Sequence, residues 1–540
     1  MKIKRLFFCC LLFFSLSNNT QSFSQIDSTY LPLFIIDTKG SPIVDEPKIT
    51  AHLKIIFDTE KYNHIDDAPD IYDGYIGIEI RGRYSAMLPQ KPYGLETRDS
   101  LGENLNVPLF HMPSENDWIL LANYNDKTFM RNTLTFELFR QMGHYAPRTQ
   151  FCEVIVNGSY QGIYIFCEKI KRDKNRVDIA NLDQDENYGD DLTGGYIIKV
   201  DYYDENNSWK SLYPPLGHND KEVYFVYYYP EPDKITENQK SYIKQFIDEL
   251  ETVLYTTDSQ DLVEIMSAYI DVNSFIDYFI LNELARNVDA YKKSSFFYKD
   301  KRSKGGLLHA GPVWDFDWAW KNIDECFFRA TDGSGWAFLV HECDIWPVPP
   351  SWTVKLMKDI RFLSSVKDRY FELRNSILSE SNIFFYIDSV AVLLDEAQVR
   401  HYNKWPILGR NVGAPEVDYQ PPTYSGEIQK FKDWIITRLN WLDTQFESVL
   451  VTGLEDQIPN NFDVESDCRL YPNPAVSQLT LESDKTIFDV SVYTYKGEYI
   501  NPEYFAKTKT LEVSYFSAGL YFIKAIFTDG TEWVGKFVKD

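Results

Sequence analysis

Residues 151–168, FCEVIVNGSYQGIYIFCE, predict a β-hairpin. Two runs rich in β-branched and aromatic residues flank Asn157-Gly158, a dipeptide that readily adopts the positive φ angles of a tight hairpin turn. Upstream, residues 28–58 and 74–96 also read as strands, with Gly and Pro turn signals in the first of these segments. The first part of the chain is therefore predicted to consist mainly of β-strands.

The apolar spacing changes to a helical period of about 3.6 residues from residue 236 onward. Helices are predicted at residues 129–142, 239–254, 260–269, 273–284 and 427–445, and further strands at 194–202, 294–299 and 307–314. Strands first and helices later, with one late return to strand, indicate an α+β domain, which we place at residues 26–450.

A second, smaller unit is predicted at the C-terminus. Residues 451–466 are polar and helix-breaking, which indicates a linker. Beyond it, residues 467–540 alternate short apolar runs with turn residues. This pattern predicts a small all-β sandwich.

The N-terminus has the parts of a secretory signal peptide. Basic residues at 1–5 precede an apolar run at 6–16, and a polar stretch ends in Ser24-Gln25. The apolar run is too short to span a membrane, and no convincing lipobox precedes Cys9 and Cys10. Residues 1–25 are therefore predicted to be a cleaved signal peptide, and no other run approaches the length of a membrane span.

The charge of the chain limits its partners. A formal net charge of −25 over 540 residues argues against electrostatic binding to nucleic acid or anionic lipid. The same charge would repel a polyphosphate unless basic residues or a metal ion gather locally.

The cysteines suggest one disulfide and no zinc site. Export permits disulfides, and Cys326 and Cys343, which bracket a Gly-rich loop, are the favoured pair. The cysteines after the signal peptide are odd in number, so at least one is free or intermolecular. The sequence contains no CxxC, no HExxH and no Cys/His cluster with zinc spacing.

Two acidic motifs are the strongest candidates for chemistry. ELARNVD at residues 283–289 ends a predicted apolar helix with Asp289, and WDFDW at residues 314–318 places Asp315 and Asp317 in an aromatic run. Carboxylates in so apolar a setting are costly to bury unless they bind a metal or a strong donor. An Asp that handles a hydroxyl proton, with downstream carboxylates that hold Mg²⁺, is what phosphoryl transfer needs.

Two structural expectations accompany the second motif. On a strand, carboxylates at i and i+2 face the same side, so Asp315 and Asp317 could both reach one Mg²⁺. The alternative is that both residues simply cap a turn between strands.

Basic residues in the β-rich half are candidate phosphate ligands. Arg81-Gly82-Arg83 is either a phosphate-facing turn, because Gly lets a backbone approach closely, or a solvated edge. Lys91 precedes a predicted strand and could reach phosphates, although a surface lysine is the simpler interpretation.

Two more charged positions leave alternatives open. Arg131 opens a predicted helix, with Asp126 or Thr128 as its N-cap. Its side chain either pairs with a buried carboxylate or contacts a nucleotide. Glu168-Lys169 ends the hairpin, and this charged pair either contacts a ligand or marks the strand reaching water.

Taken together, these blocks resemble the spore-coat protein H (CotH) kinase family over nearly the whole large domain. The matching segments are IRGR at 80–83, KPY at 91–93, WILLA at 118–122, RN at 131–132, NGSYQGIY at 157–164, EKI at 168–170, GGYIIK at 194–199, NE at 282–283, NVD at 287–289 and WDFD at 314–317. The resemblance implies a divergent, atypical protein-kinase-like domain. It also implies an activity that uses ATP, with Mg²⁺ or Mn²⁺, to phosphorylate Ser or Thr in a protein substrate.

The same resemblance assigns roles to residues of this chain. It implies that Asp289 is catalytic and that Asp315 binds the metal, with Asp317 as a candidate second ligand. The candidate nucleotide-binding residues are Arg81, Lys91, Arg131, Glu168 and Lys169.

The chain departs from the family pattern near the nucleotide. Arg81-Gly82 is followed by Arg83-Tyr84-Ser85 where the family usually has Asn-Ser-Ser, and Gln90 stands where many members have a second Lys. Residues 308–312 lack the aromatic residue that often precedes Trp314, so adenine stacking falls to His309 or is lost. Both candidate Asp positions are unaffected.

Residues 467–540 resemble the type A sorting domain of the type IX secretion system of Bacteroidetes. The resemblance rests on YPNP at 471–474, GLYF at 519–522 and the terminal KFVK at 536–539. It implies contact with the type IX machinery and passage across the outer membrane to a secreted or surface-attached state. A generic β-sandwich binding module is the alternative.

The sequence therefore predicts an exported atypical Ser/Thr protein kinase. The rival prediction is a non-catalytic surface protein for adhesion or polysaccharide-associated binding on the same fold, with aromatics such as Tyr202 and Tyr203 suited to glycan stacking. The presence of both Asp289 and Asp315 favours the enzyme, because a pure binder needs neither.

Overall fold

A computed structural model describes residues 26–257, 262–452, 469–483, 485–494, 499–500, 502–528 and 532–539. The predicted signal peptide, residues 1–25, lies outside this range, as does all of the predicted linker beyond residue 452. The boundaries proposed for the two units, 26–450 and 467–540, remain predictions.

The strands that the structure describes in the large domain lie in about its first two-thirds. They are β1 (Ser28–Thr29), β2 (Leu33–Asp37), β3 (Ile49–Ile56), β4 (Asn63–His64), β5 (Tyr72–Ile80), β6 (Tyr93–Arg98), β7 (Val107–Leu109), β8 (Met112–Glu115), β9 (Asp117–Ala122), β10 (Thr149–Val156), β11 (Ser159–Glu168), β12 (Tyr196–Val200), β13 (Ser208–Lys210), β14 (Tyr224–Tyr229), β15 (Ser295–Lys299) and β16 (Leu308–Ala310).

The helices mostly follow these strands in the chain. They are α1 (Arg131–Gln141), α2 (Glu237–Thr256), α3 (Leu262–Met266), α4 (Val272–Ala285), α5 (Trp352–Leu356), α6 (Ile360–Arg374), α7 (Glu380–Leu393), α8 (Asp395–Lys404) and α9 (Tyr424–Thr452). Mixed helix and strand content, with strands early and helices late, confirms the coarse α+β prediction.

Part of the early β region closes into a barrel with the strand order β10-β11-β9-β6-β5-β3-β2. The parallel pairing of β10 with β2 completes the closure, and apolar side chains such as Leu95, Trp118 and Phe166 fill the interior. The predicted hairpin is β10–β11, and its turn residues Asn157 and Gly158 have φ angles of 49° and 76°. The turn thus adopts the positive φ angles expected of Asn-Gly.

A second sheet, in the order β13-β14-β12-β15-β16, carries the helical part of the domain. Helix α4 is central to this part, because it contacts α1, α6, α9 and β16. Its residues from Ser274 to Ala285 are all buried, so this helix lies within the core and not on the surface. The end of α4 is therefore held firmly by its surroundings.

The predicted strand at 307–314 is mostly wrong. Only Leu308–Ala310 forms β16, and the chain from Gly311 to Phe316 has no regular structure. Gly311 has a φ of 115°, and Pro312 has no N–H to donate to a neighbouring strand. The hydrogen-bonded pairing of β16 with β15 therefore ends before the acidic motif. Helix α3 begins at Leu262, and the predicted start of that helix at residue 260 lies outside the described residues.

The C-terminal unit is a small β-sandwich, as predicted. Its strands are β17 (Arg469–Tyr471), β18 (Gln478–Glu482), β19 (Ile487–Thr494), β20 (Tyr499–Ile500), β21 (Glu503–Phe505), β22 (Thr510–Glu512), β23 (Gly519–Phe527) and β24 (Glu532–Lys539). They form two sheets, β17-β18-β22-β21 and β20-β19-β23-β24. Both sheets contribute to one apolar core that includes Leu479, Val492 and Phe537.

Cys326 and Cys343 form a disulfide, which confirms the predicted pair. Cys152 and Cys167 are free and buried, whereas Cys468, Cys9 and Cys10 lie outside the described residues. Within the described part of the chain, none of the helices combines the length and the apolar character needed to cross a bilayer.

Candidate active site

Asp289 lies in the turn that follows α4. The helix ends at Arg286, whose φ of 41° reverses the backbone, and the side-chain oxygen of Asn287 accepts a hydrogen bond from the backbone N–H of Asp289 at 3.0 Å. The carboxylate pairs with Lys293 at 2.8 Å and keeps 20% of its side-chain surface exposed. A substrate hydroxyl can therefore approach an aspartate that the turn holds in place.

Asp315 lies in the irregular loop after β16 and adopts a left-handed backbone with a φ of 59°. The hydroxyl of Ser294 donates to its Oδ2 atom at 2.7 Å. Burial and, after it, the charge of Asp317 raise the pKa of Asp315 to about 7, against the opposing effects of the Ser294 hydrogen bond and of Arg81. The carboxyl is therefore costly to ionise without a nearby cation.

Asp317 lies in the turn that follows, next to the loop between β9 and α1. Asn125 of that loop donates from Nδ2 to Oδ2 of Asp317 at 2.8 Å. Burial raises the pKa of Asp317, and the Asn125 hydrogen bond and the charge of Lys321 oppose the rise. Burial therefore disfavours the charged form of both carboxylates in this loop.

The geometry predicted for this pair was wrong, although the two residues do interact. Asp315 and Asp317 do not share the face of a strand, because the segment is a loop in which Asp315 has a positive φ angle. The backbone N–H of Phe316 donates to the side chain of Asn132 at 2.7 Å instead of to a strand. The charge of Asp317 nevertheless raises the pKa of Asp315.

Ser294 connects the two acidic motifs. It follows Lys293, the ion-pair partner of Asp289, and its hydroxyl binds Asp315. Ser294 also has a left-handed backbone, with a φ of 45°. Two adjoining loops with unfavourable backbone angles therefore meet at a hydrogen bond, and such angles are typical of functional sites.

The Arg81-Gly82-Arg83 turn approaches the same site. The Arg81 guanidinium lies over the Trp314 ring at 5.5 Å, and that of Arg83 lies over the Tyr202 ring at 4.1 Å. Gly82 has a φ of 91°, and a Cβ atom there would come within 2.3 Å of Ser85 Oγ. Only glycine readily fits this position. The turn places Arg81 against the acidic loop and Arg83 against Tyr202.

Lys91 lies just before β6 and points back to the turn after Arg83. Its ammonium group donates to the backbone carbonyl of Ala86 at 2.9 Å. Among the described residues, no hydrogen bond or ion pair joins Lys91 to Asp289, Asp315 or Asp317. Its role as a phosphate ligand stays a prediction.

Arg131 is deeply buried and pairs with Asp126. Asp126 also accepts a hydrogen bond from the backbone N–H of Arg131 at 2.9 Å, and the residue that precedes the helix, Met130, makes no side-chain cap. Of the two alternatives left by the sequence, the structure shows the ion pair. Arg131 is therefore part of the scaffold beneath the site.

Glu168 and Lys169 differ sharply in their surroundings. Glu168 is fully buried and accepts from the Arg148 guanidinium at 2.6 Å. Lys169 is 41% exposed and lies 3.6 Å from Asp117. The pair therefore consists of a buried structural carboxylate and a surface lysine.

His309, the candidate for adenine stacking, already has an aromatic partner. Its ring stacks on Tyr298 with centroids 4.9 Å apart and planes within 3°. Any base that stacks on His309 must therefore approach its other face.

The oxygen ligands around Asp315 and Asp317 fit a Mg²⁺ or Mn²⁺ ion. Nowhere in residues 26–257, 262–452 and the described parts of 469–539 do three or more His, Cys, Asp or Glu side chains gather as a metal cluster. Mg²⁺ does not need such a cluster, because proteins usually bind it through one or two carboxylates together with water and phosphate oxygens. Asn125 Oδ1, which is buried without a hydrogen-bond partner, is a further oxygen beside Asp317.

Comparison with known proteins identifies the large domain. A model of the CotH kinase protein family matches residues 78–442. The chain belongs to the CotH kinase protein family. The inner spore coat protein H of Bacillus subtilis is 24% identical to it over 203 residues, which cover 37% of this chain and 49% of that protein. The chain thus spans about half the length of this CotH-family relative.

A second match covers the C-terminal sandwich of this CotH-family chain. A model of the secretion system C-terminal sorting domain matches residues 469–540. This confirms the sorting domain suggested by the YPNP and KFVK motifs. The match indicates export by type IX secretion to the cell surface or the exterior.

Several residues around the CotH-family site were not singled out from the sequence. Ser294 could have been found from its spacing, because Asp289-x-x-x-x-Ser294 has the interval between the catalytic Asp and the metal-binding Asn of protein kinases. Asn132 lies in the matched RN segment, which assigns it no role, and Asn125 gave no signal at all. Both reach the acidic loop only through tertiary contacts. Trp346, which lies 5.0 Å from Tyr202, likewise comes from a distant loop.

Proposed function

We propose that this chain is an exported atypical protein kinase that transfers the γ-phosphate of ATP to Ser or Thr hydroxyls of a protein substrate. We also propose that its large domain is a divergent form of the protein kinase fold. The main support is the hydrogen bond between Ser294 and Asp315, which joins the turn of Asp289 to the carboxylate loop. A proton acceptor and a metal carboxylate on adjoining loops are the arrangement that phosphoryl transfer requires.

Asp289 is the proposed acceptor of the substrate hydroxyl proton. Its ion pairs with Lys293 and Lys292, at 2.8 and 3.4 Å, hold the carboxylate in place. Its partial exposure lets the hydroxyl approach. General-base assistance of this kind typically accelerates a reaction by about 10²–10⁴-fold.

The other residues position the nucleotide and offset its charge. Asp315 and Asp317 would hold the divalent ion, which when bound supplies positive charge to the transferring phosphate oxygens. Arg81 and Lys91 are the proposed phosphate ligands, because neither has a carboxylate partner within salt-bridge distance among the described residues. Such preorganised charge is usually the largest contribution to this class of catalysis.

The test of the catalytic role is Asp289→Asn in the purified protein. Labelled ATP, Mg²⁺ or Mn²⁺ and Ser-rich peptides measure transfer, and a thermal shift measures nucleotide binding. The variant keeps the shape of Asp289 but loses the charge, so transfer should fall by about 10²-fold or more while the thermal shift remains. Asp204→Asn, which changes an exposed aspartate in the loop after β12, is the control and should stay active. Full transfer activity in Asp289→Asn would exclude the proposed role.

The metal assignment has its own test. Asp315→Ala should remove the thermal shift that ATP induces with Mg²⁺. Asp317→Ala should weaken it less, because the family resemblance implies that Asp315 is the main metal ligand and Asp317 a second one. An ATP affinity that is unaffected by EDTA or by Asp315→Ala contradicts the assignment.

The exposed aromatics favour a second candidate, a non-catalytic binding protein. Trp346 is 59% exposed and Tyr203 is 49% exposed, and the Tyr203 ring contacts the Tyr224 ring at a tilt, with centroids 4.9 Å apart. Such rings suit contact with a glycan. A protein that binds neither ATP nor metal but binds polysaccharide would support this candidate.

A further inference from the structure

Asn125 has an unexplained buried oxygen beside the acidic loop. The residue is 4% exposed, and its Nδ2 atom donates to Asp317 at 2.8 Å. Its Oδ1 atom, in contrast, is buried without any hydrogen-bond partner in the protein. A buried acceptor without a donor is costly, so this one calls for an explanation.

The surroundings of Asn125 prevent a simple rearrangement. Lys321 donates to its backbone carbonyl at 3.0 Å, and a Cβ atom at Gly413 would lie only 2.1 Å from the Cβ of Asn125. Rotating the amide by half a turn would bring its oxygen against the Asp317 carboxylate, which is also an acceptor. The side chain is therefore held with its N–H group on Asp317 and its oxygen unpaired.

We propose that Asn125 Oδ1 is a neutral oxygen ligand for the divalent cation bound by Asp315 and Asp317. This inference rests on the proposed function, since it takes the cation site of that proposal as given. Two carboxylates balance the charge of a divalent ion, and amide oxygens are among the ligands that hard cations accept. A third ligand from the β9–α1 loop would tie the cation to both sides of the site.

The proposal also accounts for the amide at this position. A carboxylate at residue 125 would lie next to Asp317 and to the buried Asp126, so it would add repulsion when no cation is bound. An amide provides an oxygen without this charge, and its N–H group binds Asp317 at the same time.

The experiment measures Mn²⁺ binding to the intact mature protein without nucleotide, by calorimetry and by the Mn²⁺-induced shift in melting temperature. Asn125→Ala should weaken Mn²⁺ binding by about 10-fold or more, the range seen when a metal loses a supporting group. The matched control is Asn207→Ala. Asn207 is 8% exposed, also has an unpaired buried Oδ1 and donates to the Tyr227 carbonyl away from the acidic loop. This control should bind Mn²⁺ like the wild type.

The outcomes separate this inference from the proposed function. If the wild type binds Mn²⁺ and Asp315→Ala abolishes binding, but Asn125→Ala binds normally, the Asn125 ligand is wrong and the cation site stands. If the wild type does not bind Mn²⁺, the proposed cation site and its Asn125 ligand are both wrong.

Asn125→Asp covers the case in which the alanine variant does not fold. It keeps an oxygen at the same position, so it should bind Mn²⁺ at least as tightly as the wild type and be less stable without metal. Weaker Mn²⁺ binding by Asn125→Asp would overturn the inference.

Discussion

At the scale of single residues, the ionisation of Asp315 links the stability of the protein to pH and to the proposed cation. Its pKa is about 7 in the folded protein because of burial and the neighbouring Asp317, whereas an aspartate in an unfolded chain has a pKa of about 4. Because the pKa is higher in the folded protein, protonated Asp315 makes its whole contribution to the free energy of unfolding below about pH 4. This contribution is lost as the pH rises through about 7. The metal-free protein therefore carries a cost at neutral pH that a cation can remove.

Asp315→Asn should change this pH dependence. Without metal, the variant should gain melting temperature relative to the wild type as the pH rises from about 5 to about 8, by at least ~2 °C. Differential scanning calorimetry in EDTA measures the difference. Burial also raises the pKa values of Glu251 and Glu283 to about 7. Both residues are present in the variant and in the wild type, so their contributions to the pH dependence cancel in the comparison.

If the melting temperatures of Asp315→Asn and the wild type differ by the same amount at both pH values, Asp315 is ionised in the metal-free protein over this whole pH range. Asp204→Asn, which changes an exposed aspartate, is the control and should melt like the wild type at both pH values. Added Mg²⁺ should make the wild type more stable than Asp315→Asn at the higher pH, because only the wild type retains the carboxylate of Asp315.

At the scale of elements, the end of α4 depends on one buried ion pair with α9. Glu283 and Arg438 are both fully buried, with Nη2 and Oε2 3.4 Å apart, and Arg438 Nε also donates to the backbone carbonyl of Glu283 at 2.8 Å. Glu283 accepts from the backbone N–H groups of Ala337 and Phe338 at 2.7 and 2.8 Å. These bonds fix the last turn of α4, from which Asp289 follows.

Arg438→Met should therefore destabilise the protein strongly. It removes the only charged partner of Glu283 among the described residues and leaves a buried carboxyl unpaired, at a cost of about 3–5 kcal/mol. Chemical denaturation measures the loss. Asn440→Met, at an exposed position of the same helix, should cost less than about 0.5 kcal/mol. Equal stability of the two variants would contradict the role given to the pair.

The elements also show what the sequence could and could not predict. The β10–β11 hairpin and the stripe of α4 were predictable because their patterns are local: an Asn-Gly turn and a helical period. The loop of Asp315 was predicted as strand because its aromatic residues resemble one, and the positive φ angles of Gly311 and Asp315 depend on tertiary contacts. For the same reason Asp289 and Asp315 were identifiable from motifs, whereas Asn125 was not.

At the scale of the whole molecule, the apolar cores divide the chain. One core fills the barrel, a larger one joins the second sheet to the helices, and a third lies within residues 475–537. Among the described residues, the first two cores draw on nothing beyond Phe446. The sandwich therefore has a core of its own, and the large domain does not need it for burial of apolar surface.

Deleting residues 470–540 should leave the large domain intact and stop its export. Because the two large cores end before the sandwich, calorimetry should show the thermal transition of the large domain nearly unchanged. Because the deleted residues match the sorting domain, the truncated protein should accumulate in the periplasm, as measured by immunoblots of cell fractions. A control that exchanges the exposed Val476 for Ser should be exported normally. If the truncated protein reached the exterior at normal levels, the sorting role would be wrong, and a large fall in its melting temperature would show that the sandwich supports the large domain after all.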